Sequence, residues 1–113
     1  GSVFTIAFEL DGVKYGAMNA GPMFKFNEAV SFVINCDSQE EVDKYWNALT
    51  ADGGEESQCG WLKDKFGLSW QITPKRLFEL IGKGGDATKR VLHAMYQMKK
   101  IDIQKLEDAA VGK

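Results

Sequence analysis

The stretch "AVSFVINCDSQEEVDKYWNALT", Ala29 to Thr50, decides the fold. Its first third alternates: Val30, Phe32 and Ile34 take one face, Ser31, Val33 and Asn35 the other. Period two with β-branched and aromatic residues predicts a strand over Ala29–Cys36. The pattern then changes period. Ser38 and Glu41 form a capping box, in which Ser38 bonds the amide of Glu41 and Glu41 reaches back to the amide of Ser38. Val42, Tyr45, Trp46 and Leu49 follow at i, i+3, i+4, i+7, an amphipathic helical stripe. Asp52-Gly53-Gly54 stops it.

On the N-terminal side, Phe4, Ile6, Phe8 and Leu10 share one face of a predicted strand Val3–Leu10, with Thr5, Ala7 and Glu9 on the other. Asp11-Gly12 is a tight-turn signal, and Val13–Asn19 returns as the second arm of a hairpin. Gly21-Pro22 breaks regular structure. Gly1-Ser2 reads equally as native sequence or as a cloning remnant.

On the C-terminal side, Glu55–Gln58 is a weak strand. "GWLKDKFGLSW", Gly60 to Trp70, then reads as a hairpin with glycines at its turns and Asp64-Lys65 near its tip. Leu68, Trp70 and Ile72 share one face of the next strand; Ser69, Gln71 and Thr73 share the other. Trp61 is expected in the core rather than stacked on a ligand, because aromatics dominate cores. Pro74 opens a short helix at its first position. Asp86 is expected to cap another with the stripe Val91, Leu92, Met95, Met98, and Asp102 to cap a last turn or two.

The three alternating strands each have one apolar and one more polar face. Helix stripes must cover the apolar faces, since together they would form a large exposed patch. This predicts an α+β architecture, an antiparallel sheet backed by helices. The polar set is Thr5, Glu9, Ser31, Asn35, Ser69, Gln71 and Thr73. It is either plain solvent surface or the lining of a small-molecule hollow.

Composition narrows the function. The chain has 113 residues, 14 basic and 16 acidic, which argues against the basic footprint of a nucleic-acid binder. Lys75-Arg76 and Lys99-Lys100 read as solvated surface. No apolar run approaches the ~20 residues of a membrane helix, and no signal-peptide pattern is seen, so a cytoplasmic location is expected. Cys36 and Cys59 form no CxxC and are expected as small packed strand residues. His93 has no ligand partner at metal spacing and reads as structural or exposed.

Together "DKFGLSW" (64–70), "GPMFKFNEAVSFVINC" (21–36), "EEVDKYW" (40–46), "GGEESQCGWLKDKFGLSWQI" (53–72) and "HAMYQMKKIDIQKLE" (93–107) resemble PhnB-like proteins. These belong to the vicinal oxygen chelate (glyoxalase/bleomycin-resistance/dioxygenase) superfamily, and some carry the name 3-demethylubiquinone-9 3-methyltransferase. The resemblance implies paired βαβββ modules around a cavity. Residues 28–74 match a second module and 75–113 supply a helical C-terminus. Residues 1–27 hold only the last two strands of a first module, as in a fragment, a short variant or a chain completed by a partner. The face of Phe4, Ile6, Phe8 and Leu10 would then lack its helix. At ~1.5–3 kcal/mol per large apolar side chain, something is expected to cover it. The candidates are the helix Asp86–Lys100 or a second copy, a homodimer being the commoner outcome.

The resemblance also bears on metal chemistry. Superfamily enzymes hold a divalent ion with His and Glu. The His position falls on Ala29 and the Glu position on Gln71, so no metal and no cofactor are expected. The implied function is a metal-free protein binding a small molecule through Glu9, Ser31, Asn35, Ser69 and Gln71. The alternatives are a metal-dependent lyase, transferase or antibiotic-resistance enzyme, and a DNA-associated protein.

Overall fold

A computed structural model describes residues 3–113; Gly1 and Ser2 lie outside it. The strands are β1 (Thr5–Leu10), β2 (Val13–Met18), β3 (Ser31–Cys36), β4 (Glu55–Glu56), β5 (Trp61–Lys63) and β6 (Ser69–Pro74). The helices are α1 (Gln39–Thr50), α2 (Lys75–Ile81), α3 (Gly85–Tyr96) and α4 (Ile103–Ala110). β3, β6, β5 and β4 form one sheet in that order, and β1–β2 a separate hairpin. β3 and β6 run parallel, Ser31 beside Ser69 through Cys36 beside Pro74, with α1 in the connection between β3 and the rest of the sheet. The other pairs are antiparallel. The architecture is mixed α+β, and β3-α1-β4-β5-β6 is one complete βαβββ module.

The alternation places the core. Ile34, Cys36, Leu62, Trp70 and Ile72 face α1 and bury its Val42 and Trp46, with Tyr45 and Leu49 alongside. Trp46 is 2% exposed, and its indole Nε1 donates to Glu56 Oε2 at 2.6 Å, so its one polar atom is satisfied. Ser38 caps α1, accepting from the Glu41 amide at 3.2 Å. The reciprocal arm differs from expectation: Glu41 accepts from the Asp37 amide, one residue earlier. The start of β3 also differs. The Asn27 side chain accepts from the Ala29 amide, holding Ala29 in a turn, and the strand begins only at Ser31.

The hairpin forms as expected, with Asp11 and Gly12 both at positive φ in its turn. Phe8 stacks on Tyr15 (5.5 Å between ring centroids), Tyr15 meets Phe32 edge-on (6.2 Å), and Phe32 tilts against Trp70 (5.4 Å). This aromatic row ties the hairpin to the larger sheet on its α1 side.

The C-terminal helices do not cover the hairpin, contrary to one of the two expectations. Phe4, Ile6, Phe8 and Leu10 stay between 41% and 67% exposed. The α3 stripe is already occupied: Leu77, Leu80, Val91, Met98, Ile101, Leu106 and Ala110 bury one another in a second core. Two caps also differ. Pro74 stands one residue before α2, and Gly84, not Asp86, stands at the N-cap of α3. Asp102 caps α4 as expected, accepting from the Lys105 amide at 3.1 Å. The two cores are joined through backbone and side chain. Cys59 and Gly60 donate to the carbonyls of Met98 and Lys99, both at 2.8 Å. Gln39 donates to the Ile101 carbonyl and accepts from the Ile103 amide.

Candidate functional site: the polar face of the four-stranded sheet

With Ile72 and Leu62 turned to α1, alternation turns their neighbours to the opposite face. Register sorts that face into rows. Ser31, Ser69, Lys63 and Glu55 lie side by side across the four strands. Val33, Gln71 and Trp61 form the next row, and Asn35 with Thr73 the last.

The first two rows carry the chemistry. The Gln71 side-chain amide donates to Ser31 Oγ at 2.9 Å, which fixes both side chains. Ser69 is 1% exposed, yet its hydroxyl has no hydrogen-bond partner among the described residues. A buried hydroxyl left unpaired costs about 1–3 kcal/mol, so its position asks for an explanation. Lys63 Nζ stands 2.9 Å from Glu28 Oε1. Their hydrogen bond, and then their attraction, hold Glu28 below the ordinary carboxylate range and Lys63 above the ordinary lysine range. Glu55 adds to the rise at Lys63 through its charge. Both members of the pair are substantially exposed, so it is a surface contact of small energetic weight.

The five expected site residues divide. Ser31, Ser69 and Gln71 come together. Asn35 shares their face but is exposed at the far end beside Thr73. Glu9 lies on the separate hairpin, opposite Lys14. Trp61 is corrected: it is half-buried on the open face beside Gln71 and belongs to neither core. In a strand of three residues Leu62 takes the helix-facing place, which sends Trp61 and Lys63 the other way. That parity was readable in "WLK". The partnership of Lys63 with Glu28 was not, because Glu28 sits far earlier in an irregular stretch.

The residues at the ligand positions implied by the resemblance do not suit a divalent metal. Ala29 offers no ligating atom, and the Gln71 amide is turned to Ser31. Among the described residues no group of three His, Cys, Asp or Glu side chains is placed to hold an ion. His93 is exposed on α3. Cys36 is buried at the end of β3, and burial pushes its thiol up to about 11, so it is protonated and inert near neutrality. Cys59 sits in a turn at positive φ, not in a strand. Lys75, Arg76 and Lys100 each pair with a carboxylate.

Two clefts lie away from this face. One of about 450 Å³ is lined by Lys89, Arg90 and His93 of α3 with Ala109 and Lys113. The other, about 360 Å³, runs over the hairpin along Thr5, Ala7, Gly16 and Met18. Neither cleft is lined by Ser31, Ser69 or Gln71. No helix among the described residues is long and apolar enough to cross a membrane.

Comparison with known proteins agrees with this architecture. The family model described as 3-demethylubiquinone-9 3-methyltransferase matches residues 1–73. A PhnB protein from Bacillus cereus, provisionally named a 3-demethylubiquinone-9 3-methyltransferase, is 29% identical with a TM-score of 0.59 over 66% of each chain. Protein PA1353 from Pseudomonas aeruginosa bears on the fold alone, at 22% identity and a TM-score of 0.53 over 64% of this chain and 62% of that one. The likeness thus spans less than two thirds of either solved chain. No curated protein matches significantly. With its glyoxalase-like βαβββ module and a match over most of its length, the chain belongs to the PhnB-like family described as 3-demethylubiquinone-9 3-methyltransferase.

Proposed function

We propose that this protein binds a small polar molecule, without a metal, on the sheet face built by Ser31, Ser69 and Gln71, with Asn35 at its margin. The observation that carries the reading is Ser69: a buried hydroxyl, without a partner among the described residues, in the row beside Ser31. A ligand atom meeting it would relieve the unpaired group. The methyl transfer in the family's description is not part of the proposal. The turn from β3 into α1 reads Cys36-Asp37-Ser38, without the glycines that let a nucleotide-like cofactor approach a helix start.

The test is an amide NMR titration with millimolar malonate and, separately, malonamide, a neutral molecule of similar shape. Shifts clustered at Ser31, Ser69 and Gln71 with either probe support the site. Shifts with neither, or scattered elsewhere, overturn it.

The proposal includes a second copy of the chain on the hairpin face of Phe4, Ile6, Phe8 and Leu10. Four large exposed apolar side chains on and just before β1 support this reading. Sedimentation equilibrium is expected to give a dimer for the wild type and a monomer for Ile6→Glu combined with Phe8→Asp. A wild-type monomer at micromolar concentration would remove this part.

A further inference from the structure

We infer that the ligand of this face is a small oxyanion of the carboxylate type, and that Glu28 occupies its place until it arrives. The inference rests on the binding reading above and adds a ligand class and a gate. It starts from the hydrogen-bond inventory. The Gln71 amide donates to Ser31 Oγ, which leaves the Ser31 hydroxyl proton free to be donated onward. Ser69 Oγ has its own proton and no acceptor among the described residues. Lys63 brings an ammonium with three donors to the next place in the same row. Three adjacent positions, Ser31, Ser69 and Lys63, thus offer donors and call for an acceptor, and charged acceptors make the shorter, stronger bonds.

The structure already shows a carboxylate oxygen seated against Lys63, that of Glu28 at 2.9 Å. Glu28 is poorly anchored. It sits in the turn before β3, its side chain is 64% exposed, and Lys63 is its one ion-pair partner among the described residues. A weakly held internal carboxylate is readily exchanged for an external one. Glu55, across from Lys63, keeps the ammonium charged through its field. An arriving carboxylate takes the Glu28 oxygen's place on Lys63, and its second oxygen lies toward Ser69. Ser31 and Lys63 are the register neighbours of Ser69, so an oxyanion held on Lys63 stands beside the buried hydroxyl's row.

The experiment compares malonate with malonamide on three forms of the intact chain, reading the Ser69 and Gln71 amide shifts. The wild type is expected to prefer malonate. Glu28→Gln removes the competing carboxylate and is expected to tighten malonate by about threefold, the scale of an exposed ion pair. Lys63→Met is expected to abolish the preference while keeping the dispersed spectrum of the folded chain. Glu28 is on the surface, so its variant remains informative if Lys63→Met fails to fold. Equal shifts from both probes in the wild type would overturn the oxyanion class and leave the binding reading standing. Unchanged malonate affinity in Glu28→Gln would overturn the gate. Silence from both probes would take the binding reading down with it.

Discussion

Trp46→Ala is expected to lose about 3–5 kcal/mol of stability, the range for truncating a buried aromatic. Trp46 is 2% exposed, sits in the centre of the cluster between α1 and the sheet, and touches the same core as Leu62 and Ile72. Its loss also leaves Glu56 without the indole donor. Domains of this size hold only about 5–15 kcal/mol in total, so the variant sits near or past the edge of folding. Urea unfolding followed by far-ultraviolet circular dichroism gives the figure. Trp46→Phe keeps most of the volume and is expected to lose much less. A loss below about 1 kcal/mol for the alanine variant, typical of surface positions, would mean that α1 does not rest on the sheet through this residue.

Gly60→Ala is the second large effect, and its cause is different. Gly60 has φ of +83°, a conformation that costs residues with a Cβ about 1–2 kcal/mol. An added Cβ would also stand 3.1 Å from Ile101 Cγ1 and 3.1 Å from the Ile72 carbonyl oxygen. The carbonyl belongs to a sheet strand and the isoleucine to the helical core, so neither yields freely. Overpacking of this kind adds about 1–3 kcal/mol, for an expected total of about 2–5 kcal/mol. Gly67→Ala is the control: its φ is +88°, but nothing lies within 4 Å of the new carbon. Equal losses for the two variants in urea titrations would show that contact with Ile101 contributes nothing.

Much of this arrangement was legible before any coordinates. The faces of β3 and β6 follow from alternation, and the stripe Val42, Tyr45, Trp46, Leu49 follows from helical period. Both signals come from residues close together in the chain. What failed depended on single hydrogen bonds or on distant segments. Ala29 left the strand because one Asn27 oxygen captured its amide. The stripe of α3 was visible, but its destination was not: Leu77 and Leu106 compete for it, and they prevail over the hairpin. Of the candidate site, Ser31, Ser69 and Gln71 were found by parity and by resemblance, and Glu9 was placed with them by parity alone. Parity carries no information about how two separate sheets sit, and Glu9 stands on the hairpin. Lys63 and Glu28 were missed because a strand of three residues gives almost no periodic signal.

The parallel pairing of β3 with β6 has a consequence for the nascent chain. On the ribosome, β3 emerges well before β6, the strand it hydrogen-bonds to, with α1 and two further strands still to come. Until β6 is synthesised, Phe32 and Ile34 have no ladder to join, and α1 has only half a surface on which to rest. The helices at the C-terminal end face no such wait, since each meets its neighbour within a few residues of leaving the exit tunnel. Local pairing is fast and distant pairing slow, so α2, α3 and α4, made after β3, are able to settle without the wait that β3 faces.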